Sequence, residues 1–187
     1  MKRFEQIVKE KLSAKRFLHT LGVMDAAEDL ALRYNGDVDK ARLAALLHDL
    51  TKEVGGAEQL QFFDEFDVKL SPLELRSPKL WHAITGAGYA EHRLGIDDPE
   101  IVQAVRYHTT GRQYMSLMDK ILYLADYIEV NRDFDGVEEV RALIDQGLDA
   151  MMLKAMKQTI QELLDKSVPI HPDTFACYNQ LLIERAK

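Results

Sequence analysis

Apolar residues return every three or four positions in segment after segment of this chain, and no stretch alternates long enough to describe a strand. Behind Ser13, a suitable helix cap, Phe17, Leu21, Met24, Ala27 and Ala31 keep that spacing up to the Asn35-Gly36 break. Asp37 or Asp39 opens a second segment, in which Leu43, Leu46, Leu47 and Leu50 form a core-facing stripe. Gly55-Gly56 precedes a short amphipathic run with Leu60, Phe62, Phe63 and Phe66, three aromatics suited to an internal or a subunit contact. Pro72 and Pro78 mark a turn-rich stretch before a helix from about Leu80 to Leu94. Asp97-Asp98-Pro99 starts another, ending around His108 to Gly111. Ser116 caps the next, to about Glu129, with Leu117, Ile121, Leu124 and Ile128 on one face. A long helical stretch from Gly136 to about Lys166 is softened at Gly147, and Asp173 caps a last helix after the extended Val168-Pro-Ile-His-Pro. The expected fold class is all-α, and the glycines and prolines define no linker.

The chemistry-bearing residues stand out against this background. A formal charge of −7 argues against a broad polyanion-binding surface, so no nucleic-acid partner is expected. A small anionic substrate stays open, because a bound cation reverses the sign of a pocket. The single cysteine, Cys177, excludes an intramolecular disulfide framework and fits a reducing cytoplasm. No apolar run exceeds five residues, so no membrane partner is expected either.

His48 and Asp49 are adjacent inside the stripe Leu43-Ala-Ala-Leu-Leu-His-Asp-Leu. Neighbours on a helix point about 100° apart, so both reach one ion only where the end of the helix passes close to it. An ionised Asp among leucines is costly to bury without a partner, and a cation supplies one. Alone, the dipeptide reads more readily as the polar edge of an amphipathic helix. His19 and Asp126 are likewise polar residues within apolar segments, His19 suiting a hydrogen-bonded core position. Asp126 falls opposite the Leu117-Ile121-Leu124 stripe, although Leu122 one turn earlier keeps that side from being fully open.

The order of these four residues, with 28 residues between His19 and His48, resembles the HD-domain metal phosphohydrolases. The stretches His19-Thr-Leu-Gly-Val-Met, Leu47-His-Asp-Leu-Thr-Lys52, His82-Ala-Ile-Thr-Gly-Ala and Tyr107-His-Thr-Thr-Gly-Arg112 are similar to one branch of that superfamily. So are Asp119-Lys-Ile-Leu-Tyr-Leu-Ala-Asp126-Tyr-Ile-Glu and Asn131-Arg-Asp-Phe. That branch, the YqeK family, hydrolyses diadenosine tetraphosphate symmetrically to two ADP. The resemblance runs from about Arg16 to the C-terminal helix. It implies a single HD-domain helical bundle over 1–187, with a metal-binding core at about 16–130 and C-terminal helices at about 136–187.

Carried over by position, the resemblance makes His19, His48, Asp49 and Asp126 the ligands of a transition metal. Iron is the family expectation, as one ion or two, while manganese and zinc also suit such donors. It assigns His82 and His108 to further metal or phosphate contacts, with Asp49 and Lys52, and makes either histidine a candidate proton donor to the departing ADP. Thr109 and Arg132 become nucleotide contacts. The segment Pro169, Ile170, His171, Pro172, Asp173 and Thr174 becomes the loop that receives the nucleoside, with Tyr178 a weaker neighbour. From their own surroundings Lys52 and Arg132 read as solvated charges, His82 as a cap or core residue, and His171 as part of a turn. Tyr178 and Phe175 read as core, His92 as surface, and Glu129 and Asp135 as solvent-facing. The implied partner is a small dinucleoside polyphosphate or nucleotide, with a second copy of the chain left open. The alternatives are an HD-superfamily nucleotidase or deoxynucleotide triphosphohydrolase, a non-catalytic nucleotide-binding module, or a helical protein with unrelated buried histidines.

Overall fold

The Ser13 hydroxyl accepts the backbone N–H of Arg16 and so starts a helix that runs until Asn35 turns the chain with φ 57°. The computed structural model describes residues 1–185, and among these it contains α-helices and no strand, as the spacing predicts. In chain order they are α1 (Lys2–Lys11), α2 (Ala14–Arg33), α3 (Val38–Leu47), α4 (Gly56–Glu65), α5 (Pro72–Leu75), α6 (Trp81–Gly88), α7 (Pro99–Tyr107), α8 (Leu117–Ile128), α9 (Val137–Arg141), α10 (Leu148–Asp165) and α11 (Pro172–Arg185).

α2, α3, α7 and α8 pack on one another, and α10 lies across α8. Leu30, Leu46, Leu47, Ile121, Leu122 and Leu124 are fully buried between them, and α10 adds Met151, Met152 and Met156. Truncating any one of those leucines to alanine would cost about 2–5 kcal/mol, because a packed interior only partly closes the cavity. Phe62, Phe63 and Phe66 are buried within the chain. Phe62 stacks on Phe66 at 5.6 Å, and Phe63 meets Trp81 edge-on at 5.7 Å.

The structure departs from the sequence reading at several boundaries. α1, which buries Val8, went unread because charged residues surround its apolar positions. The stretch from Leu80 to Leu94 divides into α6 and a wider π-helical turn, Tyr89–Arg93. That from Gly136 to Lys166 divides into α9, a tight turn at Ile144–Gln146, and α10 after Gly147, whose φ is +99°. The last helix begins at Pro172, one residue before the expected cap. There the His171 ring, through Nδ1, accepts the Asp173 N–H at 3.2 Å and takes the capping role. None of the described helices is long and apolar enough to cross a membrane.

Candidate metal centre

α3 ends at Leu47, so His48 and Asp49 stand on tight turns, with Leu50 N–H bonded to Leu47 O and Lys52 N–H to Asp49 O. That ending lets two adjacent side chains face one point. His48 is fully buried, and its Nδ1 donates to Ala45 O at 2.6 Å. A carbonyl only accepts, so in the neutral ring Nε2 carries the lone pair. His19 on α2 is fixed the same way, its Nδ1 donating to the buried Glu129 carboxylate at 3.1 Å. His108, following α7, donates from Nδ1 to Val105 O at 2.7 Å.

The free nitrogens then meet carboxylates. His19 Nε2 lies 3.2 Å from Asp126 Oδ1 and 3.8 Å from Asp49 Oδ2. His48 Nε2 lies 3.4 Å from Asp49 Oδ2 and 4.0 Å from Asp126 Oδ1. His19 Nε2, His48 Nε2 and Asp49 Oδ1 are buried without a hydrogen-bond partner among the described residues. With both Nδ1 atoms committed, the Nε2 atoms and the carboxylate oxygens face one another across a hole for positive charge, a proton or an ion. A cation fits it. His19, His48 and Asp126 form one potential ligand triangle, and His48, Asp49 and His108 a second.

Asp49 is the hub. Its Oδ1 is 3.2 Å from His82 Nε2 and 3.8 Å from both His108 Nε2 and Lys52 Nζ, while Arg16 donates to its Oδ2 at 3.0 Å. Burial acts to raise the Asp49 and Asp126 carboxyls. The facing groups, His48 at Asp49 and His19 at Asp126, outweigh it and hold both below the usual range. Burial, with His48 and His82 nearby, pushes His108 down to about 3. Burial likewise lowers His82 and Lys52. Lys52 Nζ is 3.1 Å from His82 Nε2.

Two clefts border this centre. One of about 870 Å³ is lined by His108, Thr109, Asp126, Arg132, Gln158 and Lys166. Another of about 560 Å³ is lined by Lys15, Arg16, Leu18 and His19, and both include Arg132 and Phe134. Arg132 is anchored by its Nε to Asp126 O at 2.9 Å and pairs with the Asp126 carboxylate.

The structure thus gathers His19, His48, Asp49, Lys52, His82, His108 and Asp126, with Thr109 and Arg132 on the neighbouring cleft wall. Pro169–Thr174 stands outside that cluster. Thr174 donates to Thr110 O at 2.9 Å, and His171 Nε2 lies 3.7 Å from Glu74 Oε1, so this loop is tied to the segment after His108. Among the described residues its polar atoms make no contact with the side chains of His19, His48, Asp49 and Asp126. Tyr178 is half-buried against the core, and Phe175 is exposed. His92 is exposed and stacks on Phe66 at 5.1 Å. Glu129, read as solvent-facing, is 2% exposed and orients His19. Sequence reasoning also passed over Arg16. Each is three residues from a metal-facing side chain on the same helix or at its end, and that spacing was the available signal.

The family model of the HD domain matches residues 16–131. The chain belongs to the HD domain family. This confirms the resemblance drawn from the ordered motifs, and HD membership brings with it a divalent metal, which the histidine–aspartate cluster suits. The HD chain is 46% identical over 182 residues to the symmetrical bis(5'-nucleosyl)-tetraphosphatase of Halalkalibacterium halodurans, covering 96% of each. It is 41% identical to the protein of that name from Bacillus subtilis, covering 94% of each. A crystal structure of an HD superfamily hydrolase from Clostridium acetobutylicum, described as involved in NAD metabolism, is similar with a TM-score of 0.94 at 37% identity, covering 98% of this chain and 97% of that one.

Proposed function

We propose that this HD protein hydrolyses diadenosine tetraphosphate symmetrically to two ADP, with iron at the histidine–aspartate cluster. The observation that carries the chemistry is the set of buried, unpartnered donor atoms on His19, His48 and Asp49 facing Asp126. The substrate follows from the tetraphosphatases that share nearly the whole chain. When bound, the metal supplies a Lewis acid for a phosphoryl oxygen and lowers the pKa of a coordinated water.

The chain's own groups do the rest. His19, His48, Asp49 and Asp126 would hold the ion, and His82 and His108 could serve a second ion or the phosphates. Arg132, steadied by Asp126, and Lys52 offset charge on the nonbridging oxygens. His82 or His108 relays a proton to the departing ADP, and the Lys52 ammonium, 3.1 Å from His82 Nε2, is the nearest proton source. Thr109 and the Pro169–Thr174 loop frame one nucleoside. In this reading residues 1–187 act as one domain in the cytoplasm, with α10 seated on α8.

The test is a side-by-side assay of diadenosine tetraphosphate, ATP and deoxynucleoside triphosphates on protein of known metal content, with products resolved by chromatography. ADP is expected as the sole product of the dinucleotide. Release of ATP with AMP would refute symmetrical cleavage, and faster mononucleotide turnover would make the protein a nucleotidase. Iron should track activity across preparations more closely than manganese or zinc.

A further inference from the structure

Symmetrical cleavage poses a problem of space. The scissile anhydride must lie at the cation site, so each side of it needs room for a nucleoside diphosphate. The cleft beside His108 and Thr109 takes one. The cleft over the start of α2 meets it at Arg132 and Phe134, and both reach metal-facing side chains, Asp126 in one and His19 in the other.

The chemistry of that second wall suits a nucleotide. Lys15 is exposed and has no ion-pair partner among the described residues. The Arg16 guanidinium is partly exposed while donating to Asp49. Two of the acids on the wall are already engaged. Glu53 accepts from Ser13 N–H at 2.6 Å and Ser13 O–H at 2.7 Å, and Glu129 holds His19 and Asn131. The wall carries Lys15, Arg16 and Arg132 against Glu53, Glu129 and Asp133, so its charges balance, in a chain whose formal charge is −7, and Lys15 is its free cation among the described residues. Leu18 is 57% exposed, and Phe134 is 38% exposed with its ring edge-on to Tyr127. They offer apolar and aromatic surface of the kind on which a purine packs.

We propose that the Lys15–Leu18 cleft is the subsite for the second nucleoside diphosphate half of the substrate, with Lys15 and Arg16 on its phosphates and Leu18 and Phe134 against its base. The assignment rests on the tetraphosphatase reading and gives the halves separate seats.

Calorimetry on the metal-loaded protein tests it, using ADP and a dinucleoside tetraphosphate whose central bridging oxygen is replaced by methylene. Wild type should take ADP at two sites. Lys15→Glu and Leu18→Glu should each keep one ADP site, which also reports an intact fold, and should weaken the analogue by about tenfold through lost phosphate pairing or base packing. The KM for diadenosine tetraphosphate should rise in parallel. Wild type binding ADP at one site only, or variants binding the analogue as wild type does, overturns the subsite while leaving the enzyme reading intact. Two ADP sites in wild type without turnover of the dinucleotide would instead support the subsite and refute the enzyme reading.

Discussion

Glu129 decides which nitrogen of His19 is free. Its carboxylate takes the Nδ1 proton, and Asn131 fixes the carboxylate in turn with bonds of 2.7 Å from the backbone and 2.9 Å from the side chain. Partners of this kind set the tautomer and basicity of a metal-binding imidazole. Glu129→Gln should therefore lower metal affinity or activity by about 10–100-fold, read as metal content after dialysis and as turnover. Gly22 guards the same contact, since a Cβ there would stand 2.4 Å from Glu129 Oε2. Gly22→Ala favours the helix locally by about 1 kcal/mol, yet it displaces the carboxylate. Helical circular dichroism should persist in that variant while bound metal falls, and full metal retention would contradict the role given to Glu129. The sequence displays His19, His48, Asp49 and Asp126 because each interrupts an apolar pattern. Glu129 was illegible there, because an acidic residue at a helix end normally faces water. What buries its carboxylate is the packing of the end of α8 on α2, where it faces Gly22 and His19.

At the scale of elements, the position of Asp126 depends on how α8 begins. Ser116 O–H accepts the Asp119 N–H, and the Asp119 carboxylate accepts the Ser116 N–H and the Arg112 guanidinium. Ser116→Ala should cost about 0.5–2 kcal/mol in urea unfolding. Asp119→Ala should cost about 3–5 kcal/mol, because it leaves the half-buried Arg112 without its counter-charge. Equal costs would mean that the pairing with Arg112 adds nothing. Glu74 performs a similar service elsewhere, binding Ser71 N–H at 2.8 Å and Arg106 at 2.7 Å beside His171. Burial acts to raise its pKa, but the Ser71 bonds and Arg106 outweigh that and hold it below the usual glutamate value. A depressed carboxyl stabilises above the unfolded-state pKa and loses its effect as pH falls through the folded one. Wild type should thus lose its stability margin over Glu74→Gln on acidification below about pH 4.3, the ordinary glutamate value. The helices were readable where caps are local, at Ser13, Asp37, Asp98 and Ser116, because cap and stripe are neighbours in sequence. The breaks inside Leu80–Leu94 and Gly136–Lys166 were not, because there tertiary packing decides where helical hydrogen bonds shift or stop.

Taken whole, the bundle brings its donors from α2, the turn after α3, and α8. A ligand that binds only the folded chain stabilises it by about 2.7 kcal/mol at a hundredfold excess over its Kd. For a protein of this length that corresponds to a fall in Tm of roughly 5–11 °C on chelation. Scanning calorimetry with and without a chelator measures it, and an unchanged Tm would mean that the ion contributes nothing to holding the helices together. Because α3 stops at Leu47, the proposed ion would be gripped by a turn that two other helices must close over. Capture of the metal would then be a late event, waiting on the docking of α2 against α8. The stripped protein should keep its helices while its amides along that seam exchange with heavy water sooner than those beneath Met151 and Met152.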